Sequence, residues 1–270
     1  MNTDNLKQIC DEALKKLAAA LEAGHSDALK TYLSTMGRFH RYSFGNVLLI
    51  AMQKPNATNV AGFHTWRKLN RYVRKGEKGI AILAPMVIKK RVEGDVEEDE
   101  QTRIFGFRTA YVFDESQTEG EPLPAFATVK GDPTEFTGRV ESLIAANGIT
   151  LEYSDSIAPA KGMSSGGRIQ VLPNLEPAEQ FSVLVHEWAH ELIHKGDRRK
   201  ETSRTVRETE AEAVAFVVCH SIGLDTNTAA SDYIALYQGN QTTLAESLEV
   251  IQKTSAEILR AIAPAQDPLR

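Results

Sequence analysis

The apolar positions change their period several times along the chain, and each change marks an element. From Asn5 to Ala23, the residues Leu6, Ile9, Cys10, Leu14, Leu17 and Leu21 fall near one helical face. "DALKTYLSTM" predicts a second, short helix, and "NVLLIAMQ" (Asn46–Gln53) is an apolar run that Pro55 closes. The alternating, β-branched "GIAILAPMVIKKRV" predicts one or two strands. Arg103–Asp114 predicts their partner, with the acidic run Glu93–Glu100 as the solvated loop between them. Glu115–Pro133 is acidic and holds Pro and Gly, the composition of a linker.

Beyond it, "EFTGRVESLIAANG" predicts a helix that Gly148 stops, and "ITLEYS" and "GGRIQVL" predict short strands. Ala178–Lys195 is a strong amphipathic helix with Phe181, Leu184, Val185, Trp188 and Leu192 on its core side. Gly196 sits where a C-cap belongs. A loop rich in Arg and Lys (Asp197–Arg207) leads to a helix over Val206–Ile222 that ends at Gly223. Helices near Ala229–Tyr237 and Thr243–Ala263 complete the pattern. The fold class expected is α+β: a mixed N-terminal domain with an antiparallel sheet over 1–127, then a domain with a small sheet over 128–270.

A length of 270 residues suits two modest domains. No run of about 18 apolar residues occurs, so no membrane span is expected. The N-terminal segment carries acids and lacks the apolar core of a signal peptide. Cys10 and Cys219 make no disulfide framework, which points to a reducing cytoplasm. The net charge of −5 hides an asymmetry: Met36–Val92 holds twelve Lys and Arg against one acid, Glu77. That segment's partners are therefore expected to be anionic.

"VLVHEWAHELIHKG" (Val183–Gly196) carries His186, His190 and His194 at steps of four. Residues four apart lie on one helical face, so His186 and His190 reach one ion together, with Glu187 beside them to activate water. This is the HExxH arrangement. His194 lies eight residues from His186, about 12 Å along the axis, whereas a Zn–N bond is only about 2 Å. His194 is therefore read as a surface or helix-end histidine. The extended motif with a third histidine is also absent, because Ile193 and Gly196 stand where its Gly and His would fall. The third ligand is expected on the next helix, in "RETEAEAVAF". There Glu208 and Glu212 share a face with the small Ala211 and Ala215, which allow close packing. Glu208 is assigned as ligand and Glu212 as acceptor from a ligand imidazole; the exchange of those two roles stays open. Glu210 faces away.

"HEWAH" with "ETEAEAVAF" resembles the zincin metallopeptidases of the gluzincin kind, including the ImmA/IrrE-like group. The resemblance implies one zinc per chain (another divalent ion being the alternative), Glu187 as the proton-transferring residue, and a peptide or protein substrate. "GGRIQVL" resembles the zincin edge strand that pairs with an extended peptide. Tyr153, Tyr233 and Tyr237 are the tyrosines considered for stabilising an oxyanion.

In the basic segment, "FHTWRKLNRYVRKGEKGIAILAP" interleaves cations with Phe63, Trp66 and Tyr72. Cations contact phosphates and aromatic faces stack on unpaired bases, so this mixture suits single strands better than duplex readout. Arg41, Trp66, Arg67, Lys68, Arg71, Tyr72, Arg74, Lys75 and Lys78 are the candidate DNA contacts. The stretch from "NVLLIAMQ" through Trp66 and "KGEKG" to "VFDESQT", within Phe39–Gly120, resembles the N-terminal domain of the ArdC antirestriction proteins, also found in TraC-type plasmid primases. That resemblance implies a domain that binds single-stranded DNA, double-stranded DNA being a further partner. It also implies a zincin-like domain behind it and an origin on a plasmid or other mobile element. The acidic run Glu93–Glu100 departs from it and is expected to point away from the DNA. The alternative reading is a regulatory zinc peptidase that cleaves a repressor or another DNA-bound protein, and a third is a metal-bound scaffold without turnover.

Overall fold

In the computed structural model three helices open the chain: α1 (Thr3–Glu22), α2 (Asp27–Arg38) and α3 (Phe44–Gln53). Residues 2–90, 101–122, 133–224, 236 and 240–262 are described. After α3 come β1 (Val60–Gly62), α4 (Phe63–Lys68), β2 (Arg71–Val73), β3 (Ile80–Lys90), β4 (Gln101–Asp114) and β5 (Thr118–Gly120). The remainder is α5 (Thr134–Ala146), β6 (Thr150–Tyr153), β7 (Gly162–Ser164), β8 (Arg168–Val171), α6 (Pro177–Ile193), α7 (Gly196–Glu201), α8 (Arg204–Ser221) and α9 (Gln241–Ile262). This is the expected α+β class, with an antiparallel sheet in the N-terminal part. The acidic run 93–100, the 127/128 boundary and the helix expected at 229–237 lie outside the described residues.

The chain divides into two units: Met1–Ala13 with Gly45–Pro122, and Leu14–Phe44 with Leu123–Arg270. In the first, an antiparallel sheet has the order β1-β4-β3. Its register runs from Ile80 opposite Val112 to Met86 opposite Gly106 and slips between Met86 and Val87. Leu6, Leu49 and Ala81 form a buried cluster, with Ile9, Cys10 and Leu83 against it. The apolar run of α3 thereby covers the sheet. Its two amides do something more specific. Asn46 Oδ1 accepts from Leu83 N at 2.8 Å and its Nδ2 donates to Leu83 O at 2.9 Å. Gln53 does the same to Ala81, accepting at 2.9 Å and donating at 2.8 Å. Seven residues apart, the two amides lie two turns along one face. They satisfy the backbone of the edge strand β3 as a neighbouring strand would.

The start of the expected linker is ordered structure. Glu115–Gln117 is a 3-10 turn, and β5 pairs with β2, Val73 opposite Thr118 and Arg71 opposite Gly120. The composition reads as linker because the turn needs polar residues, not because the chain is unpaired.

In the second unit α6 packs on α8, α5 on α6, and α8 also on α9 and α2. Phe181, Leu184, Val185 and Trp188 of α6 and Val214, Val217 and Val218 of α8 are buried, as the helical period requires. Ala211 and Ala215 are buried as well. The small sheet has the order β6-β8-β7, with β6 parallel and β7 antiparallel to β8. This corrects the reading of "GGRIQVL" as an edge: its strand β8 is central and its backbone is paired on both sides. The edge beside α6 is β7, a three-residue strand too short and Gly/Ser-rich for alternation to reveal. A second correction concerns Gly196. His194 is the C-cap of α6, and Gly196, at φ +60°, opens α7, so part of the expected basic loop is helical.

Candidate metal centre and nucleic-acid interface

α6 and α8 face each other with His186, His190 and Glu208 between them. His186 Nε2 and His190 Nε2 are 3.2 Å apart. Glu208 Oε2 lies 3.6 Å from the first and 3.5 Å from the second. Two ligand atoms bound at about 2.05 Å in a tetrahedron are separated by about 3.3 Å, so these three atoms fit corners around one ion. Glu212, one turn further on α8, places Oε2 3.5 Å from His186 Nδ1, the nitrogen turned away from that point.

The electrostatics are those of a cation-holding cluster. Burial disfavours a charged His186, but its contacts with Glu208 and Glu212 outweigh this and raise it to about 9. Burial, then the charge on His186, lowers His190 to about 4. The hydrogen bond with His186 is the main cause that holds Glu208 down at about 2. In the chain alone, a proton on His186 thus supplies the positive charge among these carboxylates. Glu187 is buried, and that burial is the leading cause that raises its carboxyl to about 7.

What surrounds Glu187 has no signature in the sequence. A Cβ on Gly162 of β7 would come within 2.5 Å of Glu187 Oε1 and 2.7 Å of Val183 Cγ1, so only glycine lets the strand lie against that carboxylate. The turn after β7 is tied to the same helix. Glu191 accepts from Ser164 Oγ at 2.5 Å, Gly166 N at 2.9 Å and Gly167 N at 2.7 Å. Tyr153 is engaged elsewhere, its hydroxyl donating to Glu141 and accepting from Gln180 Nε2 at 2.7 Å. Tyr233 and Tyr237 lie outside the described residues.

His194 is at the helix end as expected but not at the surface. It and Glu210 are both buried, their side chains 0% exposed. His194 Nδ1 is 2.8 Å from His190 Nδ1, and its Nε2 is 3.0 Å from Glu210 Oε2. Ser247 Oγ of α9 donates to Glu210 Oε1 at 2.7 Å, and Arg198 of α7 pairs with the same carboxylate. Glu210 does face away from His186, but into the core. Helical spacing gives its direction relative to Glu208 and says nothing of what α7 and α9 bring there.

The basic stretch divides differently. Trp66 is 0% exposed and its Nε1 donates to Phe113 O at 2.9 Å, so its ring is core. Arg71 is buried: its Nε donates to Thr118 Oγ1 at 2.9 Å, its Nη1 donates to Glu121 O, and its guanidinium lies 6.0 Å from the Trp66 ring. Arg74 donates to Thr118 O at 3.2 Å and to Glu77 Oε1 at 2.9 Å. Gln117 of "VFDESQT" donates to Lys78 O at 2.9 Å and accepts from Asp114 N at 3.0 Å. Much of the stretch is thus a clasp onto residues 113–121. Arg67, Lys68, Lys75 and Lys78 remain exposed, as does Tyr72 at 53%. Arg41 is half-buried in the second unit. Phe107 and Tyr111 of β4 are exposed as well, aromatics that strand alternation alone reads as cover for a core.

Among the described residues no helix is long and apolar enough to cross a membrane. The family model for the N-terminal domain of anti-restriction factor ArdC matches residues 4–113. An uncharacterized protein of Bacillus anthracis, pXO2-81, is 23% identical over 96% of this chain, and the chain spans about half (51%) of that relative's length. The crystal structure of the antirestriction ArdC protein from the R388 plasmid, metal-free, covers 94% of this chain and 97% of its own at 20% identity and a TM-score of 0.52. Its Mn(II)-bound form covers 95% and 99% at 19% identity and the same TM-score of 0.52. Residues 4–113 thus match the N-terminal domain of the ArdC family, and the chain shares the fold of the R388 ArdC protein over nearly its whole length.

Proposed function

We propose that this ArdC-type chain acts in antirestriction, binding single-stranded DNA through its first unit and carrying a zinc peptidase centre in its second. The observation that carries the metal reading is the near-tetrahedral spacing of His186 Nε2, His190 Nε2 and Glu208 Oε2, between 3.2 and 3.6 Å. The Mn(II)-bound form of the R388 protein supports a divalent ion in this fold. His186, His190 and Glu208 hold the ion, and Glu212 accepts from His186 Nδ1. A bound zinc supplies a Lewis acid and a water acidified to a pKa of about 7. Glu187 would take the proton that water gives up as its oxygen bonds the scissile carbonyl carbon, and pass that proton to the amine nitrogen as the C–N bond breaks. An extended peptide pairs with the edge of β7, which lies against Glu187.

For the DNA, Arg67, Lys68, Lys75 and Lys78 contact phosphates while Tyr72, with Phe107 and Tyr111, stacks on bases. Trp66 and Arg71 act through the fold. The second reading, a regulatory peptidase acting on a DNA-bound protein, is favoured by the peptide-ready edge of β7. Glu187→Gln separates the two. It keeps zinc and single-strand binding and loses hydrolysis; if it still protects DNA from restriction, protection is by binding alone. Lost protection with DNA binding intact assigns protection to hydrolysis. A purified chain without stoichiometric zinc overturns the metal reading.

A further inference from the structure

We infer that His194 and Glu210 are positioning residues for the metal centre, a buried hydrogen-bond relay that fixes the tautomer and ring angle of His190. The inference rests on the metal reading above. A neutral imidazole that offers Nε2 to an ion carries its proton on Nδ1. His190 Nδ1 therefore donates, and the group 2.8 Å away, His194 Nδ1, has to accept. An accepting Nδ1 leaves the His194 proton on Nε2, where Glu210 Oε2 accepts it at 3.0 Å. One direction of donation satisfies every nitrogen in the chain His190–His194–Glu210, and no nitrogen competes with the ion.

The far end is anchored by three other elements. Glu210 sits on α8, Arg198 on α7 pairs with it, and Ser247 on α9 donates to it at 2.7 Å. A fully buried carboxylate is costly without such partners. With them it is a fixed acceptor, and it holds the His194 ring in the one orientation that serves His190. The two ligand histidines are thus supported asymmetrically. His186 leans on Glu212, a partly exposed carboxylate at 3.5 Å, whereas His190 leans on a buried histidine and through it on the buried carboxylate of Glu210, itself paired with the part-buried Arg198.

The test is zinc affinity of the full chain, by competition with a chromophoric chelator, for the parent, His194→Leu, His194→Asn and Glu210→Gln. Loss of such an outer hydrogen bond typically weakens metal binding about 10–100-fold, and that is the loss expected for His194→Leu. Asn Oδ1 falls where His194 Nδ1 accepts, so His194→Asn recovers most of the affinity, and Glu210→Gln falls between. In long-range ¹⁵N–¹H spectra of the zinc-loaded parent, His190 carries its proton on Nδ1 and His194 on Nε2. A folded His194→Leu chain with parent affinity, or a His194 protonated on Nδ1, overturns the relay. If His194→Leu does not fold, the spectra of the parent and the affinity of His194→Asn decide. A parent that takes up no zinc overturns the metal reading itself, an outcome distinct from a zinc-binding parent with unaffected variants.

Discussion

Two stretches of this chain announce chemistry by composition, and the tertiary structure treats them oppositely. In "HEWAH" with "RETEAEAVAF", the polar side chains singled out by spacing converge: His186, His190 and Glu208 present their atoms within 4.8 Å of one another. In "WRKLNRYVRKG", two of the seven residues singled out by type turn inward. Trp66 and Arg71 are buried and bonded to residues 113–121, while Arg67, Lys68, Tyr72 and Lys75 face solvent. The difference teaches where sequence reasoning has purchase. A long helix fixes the mutual direction of residues four apart, whatever it packs on. A six-residue helix, a turn and a three-residue strand impose no common period, so a cation there is as readily a structural donor as a phosphate contact.

The comparison is broken most severely at the metal. His186→Ala abolishes stoichiometric zinc with the helical content unchanged, as read by metal analysis and circular dichroism; full retention removes the converging half of the contrast. Next is Trp66→Ala, which empties a fully buried site and leaves Phe113 O without its donor. It costs about 3–5 kcal/mol in denaturant unfolding; a variant as stable as the parent but unable to bind DNA would return Trp66 to the interface.

Smaller effects sharpen the line between clasp and contact. Arg71→Met lowers stability by about 1–3 kcal/mol through the lost bonds to Thr118 and Glu121. Under conditions where the variant is folded, its affinity for an oligonucleotide is unchanged. Tyr72→Ala does the reverse, leaving unfolding untouched and weakening single-strand binding by about 1–3 kcal/mol if its ring stacks. Smallest is the pair Lys75→Gln and Lys78→Gln. Each reduces the log–log salt slope of single-strand binding by about 0.7; a slope that does not move places those cations off the DNA path.

Legibility followed the same division. The helices α1, α6, α8 and α9 could be read to within a few residues because their apolar faces repeat over three or more turns. The short strands could not: β7 has three residues, and nothing in "GMS" says that its glycine lies against Glu187. The mistaken edge at β8 has the same origin, since hydrophobicity reports a buried strand and not which neighbours pair with it. His194 is the sharpest case. Its eight-residue separation from His186 argues against the two sharing an ion. That separation carries no information about burial, which Glu210, Arg198 and Ser247 decide from three other helices.

The sequence by itself determined what is local and periodic: the class of fold, the helix that bears His186, Glu187 and His190, the neighbouring helix that bears Glu208, and the excess of cations over Met36–Val92. Only the tertiary structure decided which of those cations are free to meet a phosphate, that β7 and not β8 offers an edge, and that His194 and Glu210 stand behind His190. The physical reason is the range of the interactions. Helical spacing follows from hydrogen bonds four residues apart, whereas burial and strand order follow from contacts between segments that no local pattern connects.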